Sequence, residues 1–164
     1  MKTIFLVIAG LMVMACAVMP ASAFTMKSLS ITVAGNGDAQ VDLNYNLNFV
    51  EQSAVFLRLA DPAAELQSAF NSGSSKPVTV TQVTSSSAHI DVPSFASVSA
   101  TGGATTLTTP TLSFERAQKV LNSYWFAPLI SPDFAPAVTT ITFPDGYVAD
   151  YYHQISIPSV SHQV

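Results

Sequence analysis

The chain has 164 residues, a formal net charge of −4, 10% charged side chains and 49% hydrophobic ones. Beyond Lys2 the basic residues are Lys27, Arg58, Lys76, Arg116 and Lys119, placed singly, so there is no basic stripe to neutralise phosphates and the composition argues against nucleic-acid binding. The lone cysteine, Cys16, falls in the leading segment, which removes disulfide scaffolds, thiolate zinc sites and cysteine nucleophiles from everything after it.

That leading segment reads as a signal peptide over 1–23. Met1-Lys2 is a positive start, the stretch from Ile4 to Met19 is apolar, and Pro20-Ala21-Ser22-Ala23 has the small-x-small form that a signal peptidase cuts, here before Phe24. The apolar run is shorter than the ~20 residues a membrane-spanning helix needs. Two alternatives stand beside cleavage. Val13-Met14-Ala15-Cys16 resembles a lipobox, which would make Cys16 a lipidated N-terminus, and an uncut leader would remain as a membrane helix. A pilin-type leader is rejected, because Ala9 rather than a charged residue precedes Gly10.

Residues 24–164 are then one domain. About 140 residues suffice for a single apolar core, and the scarcity of charge beside abundant serine and threonine gives a hydroxyl-rich surface that suits extracellular packing or adhesion. Leu29, Ile31 and Val33 alternate, a turn follows at Gly35-Asn36-Gly37-Asp38, and alternation resumes at Val41, Leu43, Tyr45, Leu47 and Phe49. Apolar residues two apart line one face of a strand, so this is a hairpin with one dry side and one wet side carrying Asp42, Asn44, Asn46 and Asn48. The block Val55, Phe56, Leu57, Leu59 and the run Asp61-Pro62 through Ala63, Ala64, Leu66 and Phe70 predict two short helices or one kinked at Pro62.

Pro77 to Thr84, Ala88 to Val92, Phe95 to Ala100 and Thr105 to Thr109 read as strands, with a turn at Thr101-Gly102-Gly103. Ser113 is placed to cap a helix through Phe114, Ala117, Val120, Leu121 and Tyr124, spaced to share one face, with Glu115 and Lys119 four apart towards water. Val138 to Phe143, Pro144-Asp145-Gly146 and Tyr147 to Ile157 form a closing hairpin around a type I turn with a left-handed glycine. The order predicts an α+β fold: a largely antiparallel sheet with two or three short helices on one face or end.

No catalytic signature is complete. Gly35-Asn36-Gly37 lacks the lysine and following helix of a phosphate loop, and one short turn lacks the oxygens calcium requires. His89, His153 and His162 form no H-x-H or H-x-x-x-H pair, and on a continuous strand Asp150 and His153 would point to opposite faces. No G-x-S-x-G occurs, and Ser72-Gly73-Ser74-Ser75 reads as a helix exit. Arg58 pairs most simply with Asp61. No cofactor or metal is implied. The most unusual stretch runs from Tyr124 to Phe134, apolar but broken by prolines; Tyr124, Trp125, Phe126 and Phe134 are the candidate contacts for an envelope protein or a glycan, against the simpler role of a loop folded over the core.

Ala54-Val55-Phe56-Leu57-Arg58-Leu59-Ala60-Asp61-Pro62, Ser123-Tyr124-Trp125-Phe126-Ala127-Pro128 and Phe143-Pro144-Asp145-Gly146-Tyr147 resemble segments of uncharacterised exported proteins of methanogenic archaea. The resemblance implies an archaeal envelope or extracellular setting and carries no activity or site residue with it. The expectation is therefore a non-enzymatic exported domain used for structure, adhesion or partner binding. A soluble sugar- or solute-binding module and a secreted hydrolase with a site drawn from distant residues are its alternatives.

Overall fold

The computed structural model describes residues 25–46, 77–84, 86–122 and 133–164. The expected first hairpin is present: β1 (Thr25–Val33) and β2 (Ala39–Asn46) pair antiparallel, with Leu29, Ile31 and Val33 facing Leu43, Val41 and Ala39 across the ladder. All six are buried, while Gln40, Asp42, Asn44 and Asn46 of β2 face water. A register shift between Met26 and Ser28 inserts Lys27 into β1; the added residue resets the two-residue period so that Met26 is also buried. Leu47 and Phe49, expected to continue β2, lie outside the described residues.

Around this hairpin a six-stranded sheet is built in the order β3-β4-β2-β1-β8-β9, with β3 (Thr79–Val83), β4 (Ser87–Val92), β8 (Val138–Thr142) and β9 (Val148–Tyr152). Every neighbouring pair is antiparallel except β1 with β8. The inner face carries Val41, Leu43, Ala88, Ile90 and Ile141, buried with Leu107 and Ile157 from the smaller sheets in one apolar cluster. Those sheets are β11-β6-β5, formed by β5 (Ser97–Thr101), β6 (Ala104–Thr108) and β11 (Ser161–Gln163), and the short pair β7 (Leu112–Ser113) with β10 (Ser156–Ile157). A sheet buries one face only by covering it, and here the cover is more sheet.

The predicted α+β class is thus corrected. The described residues form eleven strands and a single eight-residue helix, α1 (Glu115–Asn122); the fold is β-rich, with sheet rather than packed helices covering the large sheet. The reason is visible in the middle of the chain, where β-branched residues recur, threonine and valine in β3 and three threonines in β6, and lose little side-chain freedom on a pleated surface. The helices expected over 55–70 lie outside the described residues, as do Arg58, Asp61 and the 72–75 serines.

Two boundaries also move. Ser113 does not cap α1: it pairs with Ser156, the Phe114 N–H donates to the Ile155 carbonyl at 2.9 Å, and the Phe114 carbonyl accepts the first helical bond from Gln118 at 3.0 Å. Of the face expected inside α1, Phe114 is half-buried against the core; the side chains of Ala117, Val120 and Leu121 lie outside the described residues. The closing hairpin has the expected turn, but its second arm stops at Tyr152, because His153 adopts a φ of 51° and donates its N–H to Pro136 and Ala137 at the start of β8. The chain becomes extended again only at β10.

Candidate functional site

The wet face of the six-stranded sheet carries Asp42, His89, Asp91 and Asp150 at outward-facing positions of β2, β4 and β9. Antiparallel register sets Asp42 opposite His89 and Gln40 opposite Asp91, and β3 brings Thr81 alongside. His89 Nδ1 lies 2.5 Å from Asp42 Oδ1; a carboxylate only accepts, so this ring nitrogen carries the proton. The hydrogen bond to Asp42 raises the imidazole above its ordinary 6.5, and the negative charges of Asp42 and Asp91 push the same way. Thr81 donates to Asp91 at 2.9 Å, Thr140 to Asp150 at 2.7 Å, and Asn44 to Ser28 at 3.1 Å. These four contacts each join side chains on neighbouring strands. An Asp–His pair can exchange a proton with a ligand, but among the described residues no serine hydroxyl is bonded to a histidine ring.

A second Asp–His pair ties the C-terminal strand to the β8–β9 turn. Asp145 accepts the Tyr147 N–H at 3.1 Å and lies 2.8 Å from His162 Nε2; these bonds, the one from His162 foremost, hold its carboxyl below the usual carboxylate range. The His162 ring stacks on Tyr147 with centroids 4.1 Å apart and planes 11° from parallel, and Phe143 tilts against both. Tyr147 remains 46% exposed. Asp150 and His153, considered as a pair from the sequence, do not come together: Asp150 is held by Thr140.

The Gly35–Asp38 turn is structural. Asp38 accepts the Ser94 N–H through Oδ1 at 2.7 Å and the Asn36 amide through Oδ2 at 2.7 Å, so both oxygens already serve N–H donors. An open depression beside it is lined by Thr32, Asn36, Asp38, Gln40 and Asp91, among others. Among the described residues, no three His, Cys, Asp or Glu side chains form a group able to hold a metal ion.

The sheet edges are chemically different from one another. β3 is disturbed by a register shift between Val80 and Gln82, and β9 carries Asp150; bulges and charges are the usual means of keeping foreign strands away. β5 has neither. Its five residues, Ser97 to Thr101, are all exposed, and no charged side chain occurs from Val92 to Phe114. Bonding across β6 assigns the free groups: Thr105 exchanges hydrogen bonds with Val164 and Thr109 donates to Val160 on the β11 side, so by alternation Ala104, Thr106 and Thr108 serve β5. Their partners Thr101, Ser99 and Ser97 are thereby used, and the N–H and C=O groups of Val98 and Ala100 point outward along the open edge.

Of the residues singled out from the sequence, Phe134 is half-buried against the core, while Tyr124, Trp125, Phe126 and Cys16 lie outside the described residues. The two Asp–His pairs escaped sequence reasoning because each joins residues far apart in the chain. The charge-free run around β5 was readable as composition. No family model, curated protein or solved structure matches the chain.

Proposed function

We propose that this is an exported, non-enzymatic domain of the cell envelope that works by contact: a β-rich body held at the surface, joining other components through a sheet edge. The observation that carries the reading is β5, a strand exposed on both faces, free of charge and bulge, with outward backbone groups open. Strand addition needs those features, because main-chain hydrogen bonds supply the attachment and side chains only tune it. Two further points support it. On the wet face Asp42 is bonded to His89, Thr81 to Asp91 and Thr140 to Asp150 across neighbouring strands, and a hydroxyl-rich surface poor in charge suits close packing outside the cell.

The leader over 1–23 makes the export step, with release at Phe24 or a lipid anchor at Cys16 as the two mature forms. Intact mass of the protein from its host separates these forms from an uncut Met1 chain. Cell fractionation then tests the function: the chain is expected in the envelope fraction, and the Val98→Lys/Ala100→Lys variant in the medium, or at reduced amount in the envelope if lipid-anchored, with its melting temperature unchanged. Uncut chain in the cytoplasm, or envelope retention indifferent to the two lysines, would overturn the reading.

A further inference from the structure

We infer that the occupant of the β5 edge is β5 of a second copy of this chain, paired antiparallel about a two-fold axis through Ser99. The inference rests on the contact function proposed above and names its partner.

The geometry of the open edge is short and bounded. At one end the Ala96 N–H already donates to the Gly37 carbonyl at 2.8 Å, and the Gly37 backbone sits so close that a Cβ there would collide with the Ala96 oxygen. At the other end the chain reverses through Gly102 and Gly103, both with positive φ, as a two-residue turn requires. Between these limits, among the described residues, only Val98 and Ala100 present backbone groups without a ladder partner. A long foreign strand would meet the Gly37 turn within a few residues. A second β5 meets it only at its end, because in the two-fold register Gly102, where its own chain turns away, is the residue that falls opposite Ala96.

The same register uses every open group. Val98 falls opposite Ala100 of the partner and Ala100 opposite Val98, each a hydrogen-bonded pair exchanging two bonds, and Ser99 faces Ser99 in the non-hydrogen-bonded position between them. Side chains then match large to small on one face. Val98, 47% exposed in the single chain, gains a methyl neighbour, while two serine hydroxyls meet on the other face, a pairing that stabilises sheets. Charge points the same way. The chain as a whole is acidic, so two copies repel over most orientations, but the segment from Val92 to Phe114 is neutral and lets them approach there. The contact is small, so the pair is weak in dilute solution and gains strength where copies are crowded on a surface.

Cross-linking reads the register directly. Cys16 is the sole cysteine, so the full chain carrying Cys16→Ser has a silent background. A non-hydrogen-bonded antiparallel pair brings Cα atoms to about 4.5 Å, within disulfide reach. Ser99→Cys in that background is expected to form a disulfide dimer under mild oxidation. Ser97→Cys and Thr101→Cys are each expected to remain monomeric alone and to cross-link when mixed, because position 97 faces 101 of the partner. All three sites are exposed, and circular dichroism verifies that the variants fold.

Sedimentation of the unsubstituted chain should show dimer increasing with concentration, and Val98→Lys/Ala100→Lys should weaken it about tenfold or more by setting lysine against lysine. Equal cross-linking at all three cysteines, or a chain that stays monomeric at high concentration, overturns the inference. If the lysine variant leaves the envelope fraction although the unsubstituted protein never self-associates, the edge serves a different protein: the contact function stands and the second-copy assignment fails. If the protein self-associates through β5 but its envelope retention is untouched by the lysines, the second-copy assignment stands and the contact function fails.

Discussion

Two buried threonines show how a single hydroxyl takes its value from its neighbours. Thr109 is buried and fully used: its Oγ1 accepts the Val160 N–H at 2.9 Å, and its carbonyl accepts Ser159 Oγ at 2.5 Å. Thr139 is equally buried, yet its Oγ1 has no hydrogen-bond partner among the described residues. A buried polar atom without a hydrogen bond costs about 1–3 kcal/mol, and stranding an existing partner costs a similar amount. Thr139→Val should therefore raise stability by about 1 kcal/mol, whereas Thr109→Val should lower it by about 1–3 kcal/mol by orphaning Val160; urea midpoints of the two variants decide. The same hydroxyl deletion with opposite signs cannot arise from any uniform effect of exchanging threonine for valine.

The exposed Asp–His pairs give opposite slopes with pH. His89 has its pKa raised in the folded chain by Asp42, so its contribution is complete below the ordinary 6.5 and disappears as pH rises through the higher folded value. Asp145 has its pKa lowered, chiefly by His162. Its contribution is present above the ordinary carboxylate value and is lost as pH falls through the folded one. Exposed pairs are screened, so the His89 effect stays below about 1 kcal/mol. Melting temperature followed against pH should lose its alkaline-side step in Asp42→Asn and its acid-side step in His162→Ala, each without change in the other.

At the level of elements, both hairpins share one turn. In each, the fourth residue donates back to the first at 2.9 Å, Gly37 to Ala34 and Gly146 to Phe143, and both glycines have a φ of 87°. Their surroundings differ. A Cβ on Gly37 would strike the Ala96 carbonyl, while nothing lies within 4 Å of one on Gly146. Gly146→Ala should then cost about 1–2 kcal/mol for the left-handed backbone alone, and Gly37→Ala roughly twice that or more because β5 must also shift. Equal losses in thermal unfolding would show that the Gly37 turn does not bear on β5.

These turns and their flanking strands were legible in the sequence because everything needed to form them is local: alternation on either side and a glycine where φ must be positive. Strand partnership was not. Thr105 to Thr109 reads like Pro77 to Thr84, yet one became a strand of the β5–β6–β11 sheet and the other an edge of the large one, since the choice depends on which distant strand arrives beside it. The start of the helix was misplaced for a related reason. The Ser113 hydroxyl looked like a cap until β10 came to claim that residue for pairing. The β5 edge was half legible: its lack of charge is composition, but its openness is tertiary.

On the scale of the whole molecule, the arrangement of β1 has a consequence for when the fold can exist. β1 lies inside the large sheet, and its second neighbour is β8, paired in parallel from Ser28 to Thr32 against Val138 to Thr142, with nearly the whole body of the chain between them. Closing so long a loop costs entropy before any ladder bond repays it, and domains dominated by such pairings fold over milliseconds to seconds. Stopped-flow refolding should fall in that range, and Ile141→Ala should slow refolding if β8 joins in the transition state and speed unfolding alone if it joins later. A polypeptide that cannot seal its centre until its last quarter has been made stays threadable in the meantime, the condition a narrow translocation channel imposes on its cargo.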